Sequence, residues 1–177
     1  MNPPTITLVS FGRFDKGFLE KISEAVAVEY NCLVSSKDAR ADLTGFFDPI
    51  RRQYNGDKLL REVDTMDIPE STKTIGLFSV DLFIPILTYI FGQAQLGGRT
   101  VIASLYRLSN ERYGMINDDA LLTERFKKEI IHEIGHLFGL IHCHTPTCVM
   151  RSSTYVEDID QKEIHLCSKC RTELGTI

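Results

Sequence analysis

The sequence predicts an α/β (α+β) fold, a sheet with helices packed on it. Three observations predict it. The N-terminus opens β-α-β. Two more apolar, β-branched runs follow, at Thr74–Ser79 and Arg99–Leu105. A long helical pattern then begins near Asn117 and carries a single apolar stripe.

Thr5-Ile6-Thr7-Leu8-Val9-Ser10 is β-branched and apolar and reads as a strand, ended by Phe11-Gly12. A helix follows from Asp15, an N-cap residue type, to about Tyr30. Phe18, Ile22 and Val26 recur every four residues, with Ala25 beside them. Cys32 to Ser35 reads as the second strand. A right-handed crossover makes the two strands a parallel pair. Cys32 reads as a small buried hydrophobe in that strand. Ser36 to Asp48 is polar and turn-rich and reads as loop.

A helical segment starts around Gln53–Asp57, with Leu59, Leu60 and Val63 as its buried positions. It ends near Thr65–Asp67, and Pro69 marks the break. Thr74–Ser79 is apolar enough to be buried on both faces. Val80 to Leu96 is apolar without a clean period, so Leu82, Phe83 and Tyr89 read equally as core or as pocket lining. Asp81 reads as a turn anchor before a metal ligand. Gly97-Gly98 is a turn, and Arg99–Leu105 is the last good strand. Tyr106 to Gly114 is a polar connection. Arg107 there reads as a solvated or ion-paired arginine, with a substrate carboxylate as the alternative. Asn117-Asp118-Asp119 supplies N-cap candidates for a helix running to about Phe138. Leu122, Phe126, Ile130, Ile134 and Phe138 form its stripe.

That helix carries His132-Glu133-x-x-His136-x-x-Gly139-x-x-His142. His132 and His136 leave one face about one turn apart. Two nitrogens so spaced reach one zinc ion at about 2.0–2.1 Å. Glu133 lies beside the first ligand, placed to act on a water at the open position. Gly139 admits a sharp turn with positive φ, and the turn returns His142 as a third ligand. Three protein ligands leave a position for water, the catalytic arrangement and not the closed structural one. The bland alternative is a buried helix whose histidines are satisfied by hydrogen bonds. The histidines lie about 200° around the helix from the apolar stripe, so the reading puts them on a cleft.

A second constellation follows at once. Cys143 and Cys148 are spaced C-x4-C, Cys167 and Cys170 are spaced C-x2-C, and 18 residues separate the pairs. The pattern reads as a structural zinc site with four thiolates. A redox pair at Cys167 and Cys170 is the weaker alternative, since no β-α-β pattern surrounds it. His144 and His165 lie close in sequence and read as surface or supporting residues. Met150 stands two residues after Cys148.

At 177 residues the chain fits one domain, or one with a small appendage. A net charge of −4 speaks against a nucleic-acid partner. No run of 18 apolar residues occurs, so no membrane partner is expected. Met1-Asn2-Pro3-Pro4 lacks the pattern of a signal peptide. Five cysteines, an odd count crowded at the C-terminal end, favour metal binding over a disulfide framework. Together these predict a cytoplasmic location. Oligomeric state and cleavage specificity are not legible.

The histidine motif resembles that of the metzincin clan of zinc metallopeptidases. With Cys143, Cys148, Met150, Cys167 and Cys170 in their positions, the chain resembles the archaemetzincin family. The resemblance implies a mixed twisted sheet with packed helices, an active-site helix and a methionine turn at Met150. It implies a single catalytic domain over 1–177, a core over 1–142 and a zinc-binding subdomain over 143–177. It implies two zinc ions per chain. His132, His136 and His142 would hold the catalytic one, and the four cysteines the structural one. Glu133 would be the general base, and the substrate a peptide or protein. The strand around Val101–Leu105 would receive an extended peptide by β-addition. The rival is a non-catalytic zinc protein. Its open position would be blocked by His144, Tyr155, a C-terminal residue or a partner protein.

Overall fold

A computed structural model describes residues 3–175, so expectations resting on Met1, Asn2 and the last two residues lie outside it. Strand β1 (Thr5–Phe11) runs between two parallel neighbours, β2 (Leu33–Ala39) and β5 (Thr72–Phe78). Strand β8 (Thr100–Ser104) lies parallel to β5, and the short β7 (Gly92–Ala94) pairs antiparallel with β8. The sheet is thus mixed, in the order β2-β1-β5-β8-β7. The predicted β-α-β opening forms, with Thr5 opposite Leu33. Its helix α1 (Lys16–Tyr30) starts where the Asp15 carboxylate accepts the Phe18 N–H at 3.0 Å.

Two expectations about β2 fail. The strand runs on to Ala39, through residues expected to be loop. β2 is an edge strand with most side chains in water, so its outer half needs no apolar residues. Cys32 precedes the strand, buried, with its thiol donating to the Val26 carbonyl. Burial pushes that thiol up to about 11, which keeps it inert.

A second, smaller sheet was not legible. β3 (Phe47–Asp48) pairs antiparallel with β4 (Gln53–Asn55), which pairs parallel with β6 (Leu82–Phe83). Strands this short have no period to read. Helix α2 (Gly56–Asp64) begins at Asn55, whose side chain caps the Lys58 N–H, and buries Leu59, Leu60 and Val63 as expected. It covers one sheet face, with Val9, Phe78 and Ile102 beneath it.

The other face carries the larger core, where α1 and α3 (Asp119–Leu137) pack together over Ile6, Leu8, Ile75 and Val101. Asp118 caps α3 through the Leu121 N–H at 2.9 Å. Phe126, Ile130 and Ile134 of the stripe are fully buried, while Leu122 and Phe138 are only half so. The face opposite the stripe was expected on a cleft, and His132 and Glu133 do line one. Ile131, Leu137, His132 and Glu133 are buried too, so the end of α3 is enclosed nearly all round. The β-addition expectation also fails for β8. That strand is fully buried between β5 and β7, leaving β7 as the sheet's edge. No described helix is long and apolar enough to cross a membrane.

The C-terminal segment carries α4 (Val156–Gln161) and α5 (Ser168–Leu174). Arg125 of α3, itself buried, grips Asp160 of α4 with two bonds of 2.7 Å. Glu29, a buried carboxylate at the end of α1, accepts from the Leu166 N–H (2.9 Å), Arg171 (2.7 Å) and His165 (2.8 Å). One acid thereby ties the first helix to the last. Glu29→Ala is expected to cost roughly 2–3 kcal/mol, since it strands the buried Leu166 N–H and removes the partner of the exposed Arg171 and His165 side chains. Urea unfolding measures it; a loss under about 0.5 kcal/mol would refute the clamp.

Candidate metal centre

His132 and His136 stand on the last turns of α3. The chain then reverses at Gly139, which takes the left-handed φ of +83° that the motif predicts. The Leu140 N–H bonds back to the Gly135 carbonyl at 3.0 Å and closes the turn. His142 returns to the other two, and the ligating atoms of all three histidines lie within 4.8 Å of one another. The His132 and His136 Nε2 atoms are 3.1 Å apart. A carbonyl can only accept, so each Nδ1 facing one carries the proton. His132 Nδ1 donates to the Val149 carbonyl (2.8 Å) and His136 Nδ1 to the Leu140 carbonyl (2.7 Å). Both Nε2 lone pairs are therefore free for a metal. Burial holds His132 well below the usual imidazole range and lowers His136 and His142 as well. Neutral imidazoles are the ligating form, and the donor set fits zinc.

The four cysteine sulfurs gather in one cluster. Cys143 and Cys167 are 3.8 Å apart at sulfur, and so are Cys148 and Cys170. That is far from a disulfide at about 2.05 Å. It matches the roughly 3.8 Å edge of a tetrahedron with Zn–S near 2.3 Å. Backbone N–H groups of Thr145 and Cys167 point at the Cys143 and Cys148 sulfurs, each at 3.4 Å. The Cys167 thiol is brought down to about 6, chiefly by the Cys170 backbone N–H, while burial raises Cys148 and Cys170. Four sulfurs so close are shaped to take a cation, which would hold them as thiolates. They form a group of four, so an isolated redox pair at Cys167 and Cys170 does not describe them.

Met150 is fully buried, and its sulfur packs onto Gly135, between the two helix histidines in sequence. A Cβ at Gly135 would collide with that sulfur. Cys143 bonds the same turn, its N–H donating to the Met150 carbonyl at 2.9 Å.

A cleft of about 370 Å³ opens over His132 and His142. One wall is Leu87–Gly92 and the other Ser152–Tyr155, with Glu129, His132, Glu133 and His142 between them. Tyr89 spans the walls, its hydroxyl donating to the Thr154 carbonyl at 2.8 Å. Arg107 is ion-paired, as expected, with Asp81 at 2.8 and 2.5 Å, and lies over the Tyr89 ring. His165 is bonded to Glu29 and His144 is an exposed side chain outside the cleft lining. Of the blocking side chains named above, Tyr155 alone among the described residues lines the cleft, and it is exposed.

A sequence model of peptidase family M54 matches residues 16–176. The chain belongs to that family, the archaemetzincins. It is a zinc metallopeptidase. It is 33% identical over 168 residues to the archaemetzincin of Haloquadratum walsbyi, covering 93% of this chain and 96% of the relative. It is 33% identical over 175 residues to that of Thermococcus kodakarensis, covering 96% and 94%. The crystal structure of the Methanopyrus kandleri archaemetzincin superposes with a TM-score of 0.85 at 33% identity, covering 97% of this chain and 93% of that one. A zinc-dependent peptidase from Methanocorpusculum labreanum gives 0.86 at 32%, covering 96% and 99%.

Two buried residues escaped the sequence reading, Glu129 of the cleft and Lys162 behind His132. Glu129 lies with Glu133 against Gly92, and burial raises both carboxyls, Glu133 the more strongly. Its signal was its place four residues before Glu133, which on an exposed helix would mean nothing. Lys162 is buried and donates to the Val149 (3.2 Å) and Arg151 (2.7 Å) carbonyls. Nothing in its sequence surroundings marks it.

The lowered histidines imply a pH dependence for the metal-free protein. Unfolded imidazoles titrate near about 6.5. In the fold they stay neutral to lower pH, so the unfolded state binds more protons as pH falls through that window. Their contribution is complete above about 6.5 and is lost below it. The raised carboxyls act with the opposite sign, so a comparison isolates one imidazole. His132→Asn keeps a donor for Val149 but cannot titrate. Its metal-free melting temperature is expected to fall less between pH 7.5 and 5.5 than that of the parent, by calorimetry. Parallel profiles would refute this.

Proposed function

We propose that this peptidase hydrolyses peptide bonds with Glu133 as general base at a zinc held by His132, His136 and His142. Cys143, Cys148, Cys167 and Cys170 hold a second, structural zinc within a subdomain over 143–177. The carrying observation is the convergence of three imidazoles beside a buried carboxyl in a cleft. A zinc held by these histidines would supply a water of near-neutral pKa and a polarised carbonyl. Glu133 takes the proton of the attacking water and hands it to the departing amine. His132 and His136 keep their orientation through the Val149 and Leu140 carbonyls. Met150 and Gly139 support the ligands by packing and by turning the chain. Strand β7 is paired with β8 alone among the described strands, so its other edge can receive an extended peptide. Gly92 on it lies against Glu133, which brings a peptide on that edge beside the base.

Glu133→Gln, folded and zinc-loaded, is expected to hydrolyse a peptide library about 10²–10⁴-fold more slowly than the parent. Equal rates would sink the assignment. Cys170→Ser leaves every catalytic candidate in place, yet is expected to lose one zinc per chain and most turnover. Mass spectrometry for metal content and a peptide assay read both; full turnover with one zinc would separate the two sites.

A further inference from the structure

One side chain crosses the cleft. Tyr89 leaves the Leu87–Gly92 wall, and its hydroxyl donates to the Thr154 carbonyl of the facing wall at 2.8 Å. The ring is held on both sides. The Arg107 guanidinium lies 4.6 Å from its centroid, and the Phe91 ring meets it edge to face at 5.5 Å. Arg107 is in turn held by Asp81 at 2.8 Å. Both walls are anchored from behind. Gln53 donates to the Thr88 carbonyl at 2.9 Å and Arg51 to the Leu87 carbonyl at 3.0 Å. Across the cleft, the Thr154 and Tyr155 N–H groups both donate to the Asp158 carboxylate at 2.9 Å. The Tyr89 bond therefore joins two fixed walls, not two loose loops.

Tyr89 stands three residues before Gly92, whose backbone lies against Glu133. Three residues span at most about 11 Å. A peptide laid on the free edge of β7 is extended at about 3.3 Å per residue, so it meets the Tyr89 bond about three residues past Gly92. Tyr89 lies on one side of Gly92 only. We propose that Tyr89 is a specificity-determining residue: its bond to Thr154 bars one end of the cleft, and a peptide reaching more than about three residues past the scissile bond on that side must open it to bind. The proposal rests on the reading of the cleft as the peptidase site with β7 as its rim. A single neutral hydrogen bond is a weak bar, so long peptides are disfavoured and not excluded.

Tyr89→Phe removes the bond and keeps the ring against Arg107. Two series of peptides share one cleavable bond, one series lengthened residue by residue on its amino side, the other on its carboxyl side. With the full, zinc-loaded chain, kcat/KM of the parent is expected to fall about 3- to 10-fold in one series alone, once its peptides pass about three residues beyond the scissile bond. Tyr89→Phe is expected to abolish that fall, through KM and not kcat. A merely loosened cleft would instead shift short and long peptides alike in both series. Binding gives a readout independent of turnover. The same peptides, carrying a fluorophore at the end that is not lengthened, are titrated into zinc-loaded Glu133→Gln with and without Tyr89→Phe. The affinity is expected to step down at the same length, and the step to vanish with Tyr89→Phe. The proposal is overturned if neither series shows the fall, if both do, or if the fall survives Tyr89→Phe. Should Tyr89→Phe fail to fold, the parent's two series decide. If no peptide is hydrolysed yet the binding step is present, the reading of Glu133 as base fails while the bar stands. Hydrolysis without a step keeps the base and removes the bar, and peptides that neither bind nor react overturn both.

Discussion

The orientation of His132 depends on one backbone carbonyl. Val149 accepts both the imidazole Nδ1 and the Lys162 ammonium, and its own N–H is tied to the His165 carbonyl. On one side stands Cys148 of the cysteine cluster, on the other Met150 beneath the helix. A histidine held by a single bond to a loop would swing. Here the loop is fixed from three directions, and the ring inherits that stiffness. The two clusters are for this reason one construction. The segment that orients the histidine is the segment the cysteines gather.

The cleft also shows how burial sets protonation. Enclosing the end of α3 keeps the imidazoles neutral and the carboxyls reluctant to ionise, both by withdrawing water from the charged form. Lys162 sets a positive charge against that trend for the two acids and reinforces it for the histidines. The face expected on a cleft lies at the floor of one, with His132 buried there and His142 exposed. Access comes from the cleft above and from the sheet edge, not from a bare helix face.

What was legible in the chain followed from local rules. Asp15 and Asp118 sit at the helix starts because a carboxylate satisfies free N–H groups there. Buried strands such as β8 announce themselves because both their faces must be apolar. Gly139 was readable because the histidine spacing needs a turn at that point. The rest lacked a local signature. The outer half of β2 is polar because it borders water, and β3, β4 and β6 are too short for a period. The edge role of β7 is a property of sheet order, which no single segment records. Glu129 and Lys162 look like ordinary surface charges until the fold buries them.

The clamp at Glu29 has a consequence in time. The carboxylate is made early, within the first helix, but its partners Leu166 and Arg171 are among the last residues of the described chain. Lys162, which steadies the carbonyl behind His132, also comes 30 residues after the histidine it serves. A nascent chain therefore carries all three histidines well before it can hold them still. A hydrolytic enzyme so arranged completes its centre only after the segment through Arg171 has been made and packed.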